Sequence, residues 1–369
     1  MKAMLIARTG RLEDTPLELR DVPDPVPAAG EILIKVSACG VCHTELDEIE
    51  GRTPPPKLPV VPGHQVVGRV AATTTPATAR KQGTVPSDEN GDSPTGARVE
   101  RSPVQSPFST GDRVGVAWIH SACGRCEYCR SGQENLCPDF RATGRDAGGG
   151  YAEYMTVPAG FAYPIPEVFT EAEAAPLLCA GAVGYRSLRL TSITDGQALG
   201  LTGFGASGHL VLKMVRHQYP KTRVYVFARS KEEQVFAREL GAVWAGDTAE
   251  RPPELLDAMI DTTPVWGPIV AALGNLKPGG RLVINAIRKE EADKPALLGL
   301  DYAKHLWMEK EVKSVANVTQ QDVSEFLELA ARIPIKPEVQ EYPLEAANQA
   351  LLELKQRRIR GAKVLRVSS

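Results

Sequence analysis

Residues 198–208 read ALGLTGFGASG, from Ala198 to Gly208, and this stretch decides the fold. Residues 198–203 form an apolar strand, and Gly203, Gly205 and Gly208 then fall in the pattern G-x-G-x-x-G. The residues that follow place Leu210, Val211, Met214 and Val215 on one helical face. Glycines at a strand-to-helix turn permit a tight bend and let a pyrophosphate approach the N–H groups that open the helix. A Gly-rich turn can also serve packing alone. Between a strand and a helix, Gly203, Gly205, Ala206, Ser207 and Gly208 read as a dinucleotide-binding turn.

The flanking pattern agrees. Residues 172–190 form a helical run, 223–228 (RVYVFA) a strand, 231–240 a helix, 258–261 a short apolar strand and 269–276 a helix. Strands at 280–287 (GRLVINAI) and 311–316 complete the series. Strand and helix in alternation predict an α/β fold, a doubly wound parallel sheet of the Rossmann kind over residues 181–317. Cofactor choice is read where the second strand ends, Phe227-Ala228-Arg229-Ser230-Lys231. NAD sites place a carboxylate there for the ribose hydroxyls. Here Arg229, Ser230 and Lys231 converge instead, as a 2′-phosphate requires, so NADP(H) is expected over NAD(H).

The first half of the chain reads differently. Strands are expected at 4–7, 31–37, 64–70 and 112–118, separated by Pro/Gly clusters. Residues 73–109, rich in Thr, Pro, Ser, Asp and Gly, cannot bury a core and read as a surface insertion. After residue 317 the pattern is mixed, with helices at 321–330 and 345–356 and a strand at 362–367.

Four of the seven cysteines are clustered in one short stretch: Cys123, Cys126, Cys129 and Cys137, spaced C-x2-C-x2-C-x7-C. Four thiolates so close can wrap one tetrahedral ion, and zinc is the expected one. A ferredoxin-like iron–sulfur run would have a last gap of three residues, and disulfides suit neither an odd cysteine count nor a chain of this length. Of the others, Cys42 follows a strand (GVCHTEL, 40–46), His64 opens one (PGHQVVGRV, 62–70) and Cys179 precedes the dinucleotide unit (LLCAGAVGY). Together they make a three-ligand zinc site with a fourth position open. Cys39 reads as a buried, inert thiol.

These stretches, with GDRVGVAW at 111–118, CGRCEYCRSGQENLC at 123–137 and GGYAEY at 149–154, resemble the zinc-dependent medium-chain alcohol dehydrogenases over nearly the whole chain apart from residues 73–109. Within that family, the RS strand ending and WMEKEVKSVANVT at 307–319 resemble the bacterial branch related to cinnamyl alcohol dehydrogenases. The resemblance implies a mainly β, partly open-barrel catalytic domain of the GroES-like kind, formed by residues 1–180 and 318–369. It implies catalytic zinc on Cys42, His64 and Cys179, and structural zinc on the four-cysteine lobe. Thr44 would hydrogen-bond the reacting alcohol oxygen and begin a proton path. His43 would face the cofactor pyrophosphate, Glu45 would orient His64, and Trp118, with Phe140 a neighbour, would line the substrate pocket. Two positions depart from the family. Gln65 stands where a Glu usually follows the ligand histidine, leaving one negative charge fewer. Asp47 stands where relay-bearing members have a histidine; either Asp47 takes the proton through the cofactor ribose, or water does.

The reaction so implied is reversible hydride transfer between a primary alcohol, aromatic or allylic, and NADP(H). A polyol, sugar or threonine dehydrogenase is the alternative, and apolar Trp118-Ile119 argues against it. A zinc-free reductase would lack both cysteine sets, and a non-catalytic binder on this scaffold would show no turnover despite two zinc ions and bound NADPH. The 369 residues carry a formal net charge of −2, with 43% hydrophobic and 24% charged residues, and so present no basic footprint for nucleic acid. No apolar run reaches the roughly 18 residues of a membrane span, and MKAMLIARTG reads as a strand start rather than a signal peptide. A cytoplasmic homo-oligomer, dimer or tetramer, is expected.

Overall fold

In the computed structural model, residues 1–74, 106–333, 335–356 and 361–368 are described; residues 75–105 of the expected insertion lie outside them. Six parallel strands form one sheet in the order Trp244–Gly246, Arg223–Phe227, Ala198–Thr202, Leu256–Asp261, Leu276–Ile284, Glu311–Ser314. In chain order this is 3-2-1-4-5-6, so the direction of winding reverses between Ala198–Thr202 and Leu256–Asp261. The crevice beyond their carboxyl ends is where such sheets bind ligands. Ala198–Thr202 is buried along its whole length, and helix Ala206–Gln218 buries Leu210, Val211, Met214 and Val215 against the sheet.

Two expectations are corrected in detail. The run at 172–190 is broken in three: helix Glu171–Pro176, a wide turn Leu177–Gly181 and helix Ala182–Thr191. Pro176 has no N–H for the carbonyl one turn back, which breaks the regular ladder where the wide turn begins. The strand expected at 280–287 ends at Ile284: Asn285 N–H makes the last bond of the ladder, to Asp261 O (2.8 Å), and its side-chain amide donates to Ser187 Oγ (2.7 Å). Ile287 is left half exposed.

The second sheet runs Val339–Pro343, Ala362–Arg366, Glu31–Val41, Val66–Thr73, Arg113–Val116, Ala162–Pro164, with Tyr154–Pro158 also paired to Glu31–Val41. Glu31–Val41 is its spine. Register shifts at Leu33/Ile34 and Val36/Ala38 bend it, so its first half pairs with Tyr154–Pro158 and its last four residues with Ala362–Arg366. The C-terminal strand therefore braces the backbone that leads into Cys42. Ile32, Ile34 and Val36 project into a core shared with Val66, Val114, Val116 and Met155.

Candidate metal and cofactor site

Cys42 lies at the end of the spine strand, His64 just before Val66–Thr73, and Cys179 in the wide turn after Pro176. Their ligand atoms lie within 4.8 Å of one another, and His64 Nε2 is 3.3 Å from Cys179 Sγ. Two thiols and an imidazole at this spacing suit zinc with one position left for another ligand. Glu45 organises the set: Oε1 lies 2.5 Å from His64 Nδ1, and Oε2 accepts the Cys42 N–H at 2.9 Å. Both side chains are buried. Engaging Nδ1 leaves Nε2 for the cluster. The His64 loop is braced in turn by N–H groups of Gly149, Gly150 and Tyr151, which donate to Val61, Gly63 and Pro62 carbonyls. A Cβ on Gly149 would stand 2.1 Å from Gly63 O, so this approach excludes any side chain.

The Cys42 thiol is drawn well below its ordinary value by its hydrogen bond with Cys179 and then by His64, while that same bond and burial push Cys179 up. Burial works against a charged His64, yet Glu45 and Cys42 raise it well above the usual imidazole range. Cys39, expected to be inert, is fully buried with its thiol pushed up by burial and lies outside the cluster.

Helix His43–Ile49 carries the other residues expected here. His43 is exposed at its first position, and Thr44 Oγ1 lies 3.6 Å from Cys42 Sγ. Gln65 is buried, its side chain against Gly40. Trp118 and Phe140 meet with ring centroids 5.2 Å apart, and Trp118 is held by its carbonyl, which accepts the Thr143 N–H. Asp47 is brought to the same helix face, but its carboxylate is taken by Arg52 and Arg288. Sequence reading missed Arg288, and it missed Glu48, a buried carboxyl with one oxygen unpartnered whose pKa burial pushes up to about 9.

The four-cysteine lobe is also assembled, with its sulfurs within 4.8 Å of one another. Backbone N–H groups of Cys126 and Cys129 donate to Cys123 and Cys126 Sγ at 3.3 and 3.5 Å. Backbone donors near Arg125 and Cys126 draw Cys123 down to about 6, whereas burial and the bond to Cys126 push Cys129 up to about 12. Glu134 accepts the Gln320 N–H, and Asn135 Nδ2 donates to Ala316 O at 2.8 Å. The lobe is thus pinned to the segment by which the chain leaves the parallel sheet.

At the dinucleotide turn, Gly203 has φ +81° and a Cβ there would meet Thr262 Oγ1 at 2.6 Å. A Cβ on Gly208 would meet Gly203 O at 2.8 Å, while one on Gly205 would enter open space. That opening, ahead of Ala206 and Ser207 in the first turn of helix Ala206–Gln218, is the cradle a phosphate needs. At the next strand end, Ser230 caps helix Lys231–Glu239 and donates to Glu232 Oε2, Lys231 Nζ donates to Gln234 Oε1 at 3.2 Å, and Arg229 has no partner among the described residues.

Comparison with known proteins places this geometry. Residues 28–86 and 93–167 match the family described as "Alcohol dehydrogenase GroES-like domain". Over 365 residues the chain is 40% identical to the "Probable alcohol dehydrogenase AdhA" of Mycobacterium tuberculosis (strain CDC 1551 / Oshkosh), spanning 99% of this chain and 97% of that protein. It shares the fold of a cinnamyl alcohol dehydrogenase of Sorghum bicolor, with TM-score 0.76, 24% identity and coverage of 99% and 97% of the two chains. A cobalt- and zinc-bound thermostable alcohol dehydrogenase from Pyrobaculum aerophilum superposes with TM-score 0.78 at 25% identity, over 100% of this chain and 99% of the other. The chain belongs to the zinc-dependent medium-chain alcohol dehydrogenase family.

Proposed function

We propose that this alcohol dehydrogenase interconverts a primary alcohol, aromatic or allylic, and its aldehyde, using zinc and NADP(H). The observation that carries the reading is the Cys42–His64–Cys179 cluster with Glu45 set behind His64. Bound zinc supplies Lewis acidity toward the alcohol or carbonyl oxygen, and bound nicotinamide takes or returns the hydride. Cys42, His64 and Cys179 would hold one zinc, and Cys123, Cys126, Cys129 and Cys137 a second, structural one. Thr44 Oγ1 accepts the alcohol proton and passes it toward solvent. His43, exposed at the helix start, faces the cofactor pyrophosphate. Gly203, Gly205, Ala206, Ser207 and Gly208 cradle that pyrophosphate, and Arg229, Ser230 and Lys231 take the 2′-phosphate. The unengaged Arg229 guanidinium supports NADP(H), since a fork of donors matches a phosphate. Neutral Gln65, packed on Gly40, leaves the metal set with less negative charge. Trp118 and Phe140 form an apolar wall suited to a flat substrate.

The same reading assigns residues 1–180 and 318–369 to the catalytic domain and 181–317 to the cofactor domain, supported by where the two sheets draw their strands. It includes a homo-oligomer in the cytoplasm. Glu311–Ser314 is an exposed edge strand preceded by exposed Trp307 and Met308, an edge that a second copy would cover. No helix among the described residues is long and apolar enough to cross a membrane. Turnover of aliphatic, aromatic and allylic aldehydes with NADPH, and with NADH alongside, tests the proposal. Reduction of aromatic or allylic aldehydes with NADPH is expected; preference for polyols or for NADH would overturn the substrate or cofactor assignment.

A further inference from the structure

Asp47 sits one helical turn beyond Thr44, where the sequence offers it as a proton acceptor. Its oxygens are already engaged. Arg288 Nε donates to Oδ2 at 2.8 Å and Nη2 to Oδ1 at 2.9 Å, and Arg52 Nε donates to Oδ1 at 2.6 Å. The Asp47 side chain is only 6% accessible, and Arg288 stands 241 residues away, in the loop after strand Leu276–Ile284. A paired-fork contact of this kind fixes distance and orientation together. It is unlike an exposed surface pair, whose long side chains keep their freedom.

The Arg288 loop is itself held. Its neighbour Lys289 donates to Asp261 Oδ2 at 2.5 Å and to Thr263 O at 2.6 Å, with both charged side chains buried. Glu290 N–H donates to Pro264 O at 2.7 Å, and Thr262 N–H to Thr202 O at 2.9 Å. An unbroken series of contacts therefore runs from the dinucleotide turn at Gly203, through Thr262, Asp261 and Lys289, to Arg288 and Asp47. It ends on the helix that bears Thr44 next to Cys42.

We infer that Arg288, acting through Asp47, is a positioning residue: it sets the nicotinamide end of the cofactor crevice against the Cys42–His64–Cys179 cluster. Asp47 is the anchor for this strut, and the proton leaving Thr44 goes to solvent. The inference rests on the proposed dehydrogenase reading. Displacement of about 1 Å between reacting groups can cost about 100-fold in rate, so a strut between the two sheets has a direct kinetic consequence.

The test compares the zinc-loaded wild type with Arg288→Gln, Arg288→Lys, Asp47→Asn and the Asp47→Asn/Arg288→Gln double variant. Turnover, its pH profile and NADPH affinity by nucleotide fluorescence are measured on each. Arg288→Gln and Asp47→Asn are each expected to lower kcat/KM by about 10–100-fold and to weaken NADPH binding. The double variant should be no worse than the poorer single, because both changes break one contact. Arg288→Lys should recover part of the loss, and the pH profile of Asp47→Asn should keep its wild-type shape. An Asp47→Asn variant with an altered pH profile, restored by added imidazole, while Arg288→Gln behaves as wild type, would make Asp47 the proton acceptor and overturn the inference. Additive losses would also overturn it. If the wild type turns over no alcohol or aldehyde, the dehydrogenase reading fails, and unchanged NADPH affinity across the variants would separately sink the strut.

Discussion

Glu45 holds His64 and Cys42 at once, one carboxylate oxygen 2.5 Å from the imidazole Nδ1 and the other accepting the Cys42 N–H. Two of the three donors to the proposed catalytic metal are therefore aligned by one buried side chain. Replacing Glu45 with Gln should keep the shape while weakening the grip on the ring. Zinc affinity, measured by competition with a chelator, is expected to fall about 10–100-fold, the usual cost of losing such a support. An unchanged affinity would mean that the backbone alone orients His64.

The proposed preference for NADP(H) rests on Arg229, which has no partner among the described residues and stands at the end of strand Arg223–Phe227. Arg229→Asp should lower kcat/KM with NADP(H) and raise the NAD(H)/NADP(H) ratio of kcat/KM by at least about 10-fold, the scale on which one charged contact is felt. A ratio that does not move would show that the 2′-phosphate is not read here. Glu232, drawn toward Ser230, would then be the carboxylate to examine for a ribose contact.

The four-cysteine lobe bonds to the crossover at residues 316–320 through Asn135 and Glu134. Cys126→Ser should remove one zinc per chain and lower Tm, while the kcat of the surviving folded enzyme stays within about 3-fold of wild type, since no chemistry is assigned to this ion. A loss of kcat as large as that of a catalytic-ligand variant would place the lobe in the reaction.

The proposed oligomer is tested at the edge strand Glu311–Ser314, where Val312 is about half exposed, as are Trp307 and Met308 just before the strand. Val312→Glu should shift the sedimentation of the protein toward monomer if a second copy covers this edge, because a charge placed there blocks strand addition. An unchanged oligomer would move the interface elsewhere.

What could be read from the sequence divides on physical lines. The dinucleotide turn and the cysteine lobe were legible because the residues that act together are contiguous: Gly203 to Gly208 in one turn, Cys123 to Cys137 in one loop. Cys42, His64 and Cys179 are far apart in sequence, yet their residue types suit one metal, and the structure brings them together. Asp47 is the opposite case. Its place after Thr44 left open whether Asp47 or water takes the proton, and only the fold reveals that Arg288, 241 residues later, pairs with its carboxylate. The same holds for Glu48: helix His43–Ile49 has seven residues, six of them buried, so a charged side chain there gives no hint of where it faces. Strand Trp244–Gly246, at three residues, is too short for any alternation to register. The run through Pro176 kept a helical period, and the wide turn that positions Cys179 is a backbone event that periodicity does not record.

The central claim is that Cys42, His64 and Cys179 hold a catalytic metal. It is tested most directly by counting zinc per chain in the wild type and in Cys42→Ser while following NADPH-coupled aldehyde reduction in the same preparations. The account predicts about two zinc ions per chain falling to about one, with turnover reduced by at least about 1,000-fold, as befits loss of the group that stabilises charge on the reacting oxygen. Full turnover in Cys42→Ser, or a zinc count that does not change, would contradict it.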